Sequence, residues 1–153
     1  MVKWLTIACQ FVRAREECIL TAYPDPISHG DPWTIGDGCT GPGIVEGTVW
    51  TQEQADFALE TRLTAIGDAI LKASKYPLND NQLAALCDFA WNEGLDALFD
   101  KSTLWRLWQS GRSFVVVAEY FEEWDIACGR VVQGLENRRI LEKNLFLSPV
   151  VSA

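Results

Sequence analysis

Glu16 and Asp25 stand nine positions apart, Glu16 closing an apolar-periodic segment and Asp25 lying in a loop fixed by Pro24 and Pro26. Two carboxyl groups facing one cleft suit acid/base work. Hydrolysis of a glycosidic bond asks for such a pair: a protonated carboxyl donates to the leaving oxygen, and an ionised one activates water or attacks the sugar. Thr34 adds a hydroxyl able to orient a water, and Gly36 and Gly38, flanking Asp37, suit positive φ or a close approach of backbone to ligand. Each residue also has a plainer reading. Among 21 acids a Glu and an Asp at this spacing arise readily by chance, as a solvated helix end and an ordinary turn aspartate. Thr34 suits a strand as a β-branched residue. Trp33, Trp105 and Trp108 can stack on sugars or fill a core, and Arg138 suits a solvated helix surface.

The elements that must position these residues follow from periodicity. Trp4, Ile7, Ala8, Phe11 and Val12 repeat at helical spacing, predicting an amphipathic helix over 3–15 with Glu16 at its C-terminal end. Helix C-termini carry partial negative charge, which disfavours an ionised carboxylate there, the direction a general acid needs. The glycine- and proline-rich stretch from Cys18 to Trp50 reads as a small antiparallel sheet with tight turns, the one β-rich part of the chain. Thr51 and Gln54 form a capping box opening a long helix, with Ala55, Leu59, Leu63, Ile66 and Ile70 on one face. Asn79 and Gln82 repeat that pattern for a helix ending at Gly94. Ser102 caps 103–109, Ser113 caps 114–124, and a last helix begins near Gly134; Leu147–Ala153 reads as a frayed tail.

Composition narrows the function classes. At 153 residues with 48% apolar content, the chain can bury a core as one domain, 1–153. The formal charge of −8, from 13 Lys plus Arg against 21 Asp plus Glu, supplies no basic footprint for nucleic acid or an anionic membrane. Cys9, Cys18, Cys39, Cys87 and Cys128 show no C-x-x-C spacing, and the single His29 cannot anchor a zinc-finger type site, so the cysteines read as scattered core thiols. The run Trp4–Cys9 is too short for a secretory core or a membrane span.

The run E-E-C-I-L-T-A-Y-P-D-P-I-S-H-G-D-P-W-T-I-G-D-G-C-T from Glu16 to Thr40 resembles the catalytic segment of phage-type lysozymes, the endolysins and prophage muramidases of glycoside hydrolase family 24. Their pattern is E-G-x-x-L-x-A-Y-x-D followed by W/Y-T-I-G-x-G. Thr51–Ala55 is similar to that family's entry to an inter-lobe helix. Asn81–Leu86 with Phe89–Gly94 is similar to its D-Q-x-A-L-x-x-F-x-x-N-x-G stretch, and Gln133–Arg139 to its G-L-x-N-R-R.

The resemblance implies an α+β, mostly helical, lysozyme-like fold. A small β-containing lobe would span about 16–50, an inter-lobe helix 51–74 and a helical lobe 75–147, with the N-terminal helix packing on the latter. It implies a muramidase that hydrolyses the β-1,4 bond from N-acetylmuramic acid to N-acetylglucosamine in peptidoglycan, with inversion, for host lysis by a phage or prophage. Glu16 would be the general acid, Asp25 the carboxylate that activates or positions the water, Thr34 a hydroxyl holding that water, and Arg138 the residue that orients Glu16. No metal or organic cofactor is implied. The partner would be a peptidoglycan strand, met by a monomer without nucleic acid or stable membrane association. Without a signal peptide, release from the host cytoplasm to the wall would depend on a holin or another route. Glu17 stands where the family usually has Gly, Asp37 where an aromatic is common and Cys39 where His is frequent. The added charge of Glu17 and Asp37 predicts an activity optimum on the acidic side. A lysozyme-fold module that holds glycan without cleaving it is the alternative, and a helical adaptor presenting Trp105 and Trp108 ranks below it.

Overall fold

The computed structural model describes residues 2–26, 28–127 and 129–149; Cys128 and the end of the C-terminal tail lie outside them. α1 spans Lys3–Arg13, β1 Ile19–Tyr23 and β2 Thr34–Gly36. α2 spans Gln52–Ala73, α3 Asp80–Glu93, α4 Thr103–Gln109 and α5 Phe114–Ala118. β3 (Ile126–Ala127), β4 (Arg130–Val131) and α6 (Gln133–Leu147) follow.

Local chemistry sets the helix starts. Thr51 and Asn79 both form complete capping boxes with Gln54 and Gln82, each satisfying two otherwise unpaired backbone donors. The Ser102 hydroxyl accepts from the Trp105 N–H, and that of Ser113 from the Val116 N–H. Three expectations are corrected. α1 stops at Arg13, and the chain leaves it through a tight turn in which the Arg15 and Glu16 N–H groups both donate to the Val12 carbonyl, at 2.9 and 3.0 Å. The helix expected over 114–124 is α-helical only to Ala118, then tightens to a 3-10 helix over Glu119–Trp124, which has poorer hydrogen-bond geometry and is used in short pieces. Cys18–Trp50 is also not the one β-rich part, because β3 and β4 pair as a two-residue antiparallel hairpin. Each strand is too short to show alternation in sequence.

β1 and β2 are antiparallel with Ile19 opposite Gly36 and Tyr23 opposite Thr34, and an isolated bridge from Thr21 to Val49 adds a third extended segment. This small sheet covers a core of Ala22, Ile35 and Cys39, with Trp33, Trp50 and Trp91 against it. The larger core surrounds α3, in which every residue from Gln82 to Ala90 is buried, against α1, α2 and α6. α2, with 22 residues and a length of about 33 Å, runs beside both. Trp105 and Trp108 are 5% and 7% exposed and belong to the larger core, which removes the aromatic face that a helical adaptor would present. Cys9, Cys39 and Cys87 are buried thiols, as the core reading expects, whereas Cys18 is only half-buried at the start of the small lobe.

Gly67 shows how closely α1 and α2 approach. A Cβ there would lie 2.3 Å from the Trp4 ring. Ala is the better helix former by about 1 kcal/mol, yet the overlap forces Trp4 off its site at a cost of about 1–3 kcal/mol. Gly67→Ala should therefore lower the thermal midpoint by several degrees, measured by circular dichroism.

Candidate active site

Glu16 sits on the turn leaving α1, partly buried, and its carboxyl meets the helical lobe directly. Arg138 Nη1 donates to Glu16 Oε1 at 2.7 Å. Arg138 is itself only 8% exposed, so the solvated-surface reading of this residue is corrected: α6 turns it inward, where the helix would otherwise present an unpaired charge. Its other corner pairs side-on with wholly buried Asp88 of α3, Nε to Oδ2 at 3.0 Å and Nη2 to Oδ1 at 2.9 Å. Such two-point guanidinium–carboxylate bonds fix orientation as well as charge.

Around this pair lies a set of buried ionisable groups. Glu142 of α6 is wholly buried, 3.2 Å from Arg139 Nη2 and 3.6 Å from Arg138 Nε. Burial pushes the Glu142 carboxyl well up from its usual range, against the opposing pull of Arg139 and with the help of the Asp88 charge. Arg139, also wholly buried, bonds Asn92 and lies 3.7 Å from Glu93, with its guanidinium over the Phe89 ring. Beside Arg138 is a groove of about 410 Å³ lined by Arg15, Val132, Gly134, Leu135, Asn137 and Leu141.

The second oxygen of Glu16 faces the small lobe. Gly38, at φ 91°, brings backbone against it: a Cβ there would lie 3.7 Å from Glu16 Oε2 and 3.8 Å from the Trp91 indole nitrogen. Tyr23 stands opposite Thr34 in the β1–β2 pairing; burial raises its phenol, and the charge of Glu16 raises it further. Asp25 follows β1 in a turn where its Oδ1 accepts from the Ser28 N–H at 2.8 Å and its own N–H donates to Gly30 at 3.1 Å. Glu16 and Arg138 are thus in direct contact, Thr34 opens β2 opposite Tyr23, and Asp25 stands on the loop beyond β1. Among the described residues, no three His, Cys, Asp or Glu are grouped to hold a metal ion, and no helix is long and apolar enough to cross a membrane.

Sequence reasoning overlooked Asp88 and Glu142. The signal for Asp88 is an acid inside the otherwise apolar run Leu83–Ala90, where a helix buried all round has no solvent face for a charge. For Glu142 it is the spacing of three and four from Arg139 and Arg138.

The fold is that of a lysozyme-like α+β protein. A family model described as phage lysozyme matches residues 13–142, and the chain belongs to that family. The chain is 40% identical over 116 residues to the endolysin of Bacillus phage PZA, covering 76% of this chain and 44% of that one. It is 35% identical over 133 residues to the endolysin of Salmonella phage P22, covering 84% and 87%. Among solved structures, the muramidase domain of SpmX from Asticaccaulis excentricus superposes with a TM-score of 0.81 at 32% identity, over 93% of this chain and 95% of that one. The chain spans about half the length of the Bacillus phage PZA and Lactococcus phage c2 endolysins, 44% and 58%.

Asp37 lies beneath the same corner, 2% exposed, with Oδ2 lacking a hydrogen-bond partner. Burial raises its carboxyl from the ordinary 3.8, Arg13 opposes this, and Asp56 adds to it. The fold therefore keeps its full stability below the unfolded value and loses some as pH rises through the raised one. Asp37→Asn should melt ~2–4 °C above the parent at pH 7, with the difference vanishing below about pH 4, as followed by calorimetry.

Proposed function

We propose that this chain hydrolyses the β-1,4 bond from N-acetylmuramic acid to N-acetylglucosamine in peptidoglycan, with Glu16 as general acid. The observation that carries the reading is the 2.7 Å bond from Arg138 Nη1 to Glu16 Oε1 where the two lobes meet. Arg138 holds one oxygen of Glu16, leaving the other toward Gly38 and Trp91, where a leaving oxygen is protonated. Asp25 acts as the carboxylate that activates or positions water, and Thr34 holds that water. Support for the substrate comes from membership of the phage lysozyme family and from relatives named endolysin or muramidase. No metal or organic cofactor enters these steps.

Inversion is part of the proposal, because it needs only an acid and a base with room for water between them. The protein works as a monomer on the wall after release from the host cytoplasm, by a holin or a comparable route, and lyses the host for a phage or prophage.

Glu16→Gln should release reducing muramic ends from purified peptidoglycan on the order of a hundredfold more slowly or worse; turbidity clearing at the parent rate would remove Glu16 from its role. Proton magnetic resonance of fresh product should show the α-anomer first if the course is inverting. The pH–rate optimum should lie on the acidic side, and the profile should move to lower pH in Glu17→Gly combined with Asp37→Tyr, since a carboxyl ionises more readily once neighbouring negative charge is removed.

A further inference from the structure

Asp88 has no path to substrate. It is wholly buried in α3, and Arg138 stands between it and Glu16. Its two oxygens take Nε and Nη2 of Arg138 at 3.0 and 2.9 Å, so the guanidinium plane is set from the α3 side and Nη1 is aimed at Glu16. Rotation about that plane would break two charge-assisted bonds in a dry site, where each is strong.

Charge balance gives Asp88 a second effect. The groups facing it come from each element packed around α3: Arg138, Arg139 and Glu142 from α6, Glu16 and Arg15 from the turn after α1, and Cys87 beside it. Glu142 lies closer to Arg139, at 3.2 Å, than to Arg138, at 3.6 Å, and Arg139 also faces Glu93. The negative charge that offsets Arg138 is therefore that of Asp88. A lone guanidinium against a carboxyl strongly favours the ionised carboxylate, and an ionised Glu16 cannot donate a proton.

We propose that Asp88 is a positioning residue of the active site: it clamps Arg138 so that Nη1 meets Glu16, and it balances Arg138 so that Glu16 can keep the proton it must donate. The inference rests on Glu16 being the acid.

A purely structural Asp88 makes a different prediction. Losing a core ion pair lowers the folded fraction and scales the whole pH–rate profile, leaving the position of its limbs unchanged. Asp88→Asn keeps the shape and removes the charge. With the whole chain and purified peptidoglycan, its kcat should fall roughly ten- to a hundredfold with KM little altered, and its alkaline limb should move about one pH unit lower. Asp88→Glu keeps the charge on a longer arm, so it should lose rate while holding the parent limb, and it carries the test if Asp88→Asn shows no cooperative melt. An Asp88→Asn profile that superimposes on the parent after correction for folded fraction overturns the proposal, as does Asp88→Glu at the parent kcat. Either result leaves the hydrolase reading standing if Glu16→Gln is inactive; Glu16→Gln at the parent rate overturns both.

Discussion

The guanidinium of Arg138 is the contact on which the rest of the site depends. It joins three elements that are far apart in sequence: α6, which carries it; α3, which supplies Asp88; and the turn after α1, which supplies Glu16. A buried cation is costly unless neutralised and hydrogen-bonded. That cost makes the arrangement specific, because only a packing that brings all three elements together at once satisfies it. α3 is accordingly buried along most of its length, and α1, α2 and α6 close around it.

The two sides of the site are built to different standards. On the helical side the partners are short bonds between buried groups inside a large core. The β side rests on a two-stranded pairing, one isolated bridge and a core of three buried residues with partly buried aromatics against it. Asp25 and Thr34 belong to this lighter side, Asp25 held by turn hydrogen bonds and Thr34 by its pairing with β1. Fewer buried contacts mean lower local stability. Glu16 is therefore held rigidly from the helical side, while Asp25 and Thr34 sit on a more adaptable wall.

What could be read from the sequence divides along the range of the interactions. Thr51 with Gln54 and Asn79 with Gln82 are legible because both partners lie within one turn, and both boxes form as expected. The tight exit after Arg13 is less legible, because helix ends depend on which backbone donors find carbonyls. Arg138 reads as surface from its type and is 8% exposed in the fold, since its burial is made tolerable mainly by partners far away in sequence, Asp88 fifty residues and Glu16 more than a hundred residues before it. Trp105 and Trp108 were ambiguous for the same reason: spacing gives a face, and only tertiary packing says what covers it. Glu16 became readable through ordered motifs along the chain rather than through its own chemistry, whereas Asp88, outside any quoted role, stayed hidden in an apolar run.

Trp91 packs against both cores and places its indole nitrogen at the Gly38 backbone beside Glu16, with the Arg62 guanidinium 5.4 Å from its ring. One side chain therefore counts in the stability of two units. Local opening of the β side must uncover a ring that the helical side also holds, so the lighter side is tied to the heavier one through this side chain. In energetic terms the cleft has a floor owned by both walls.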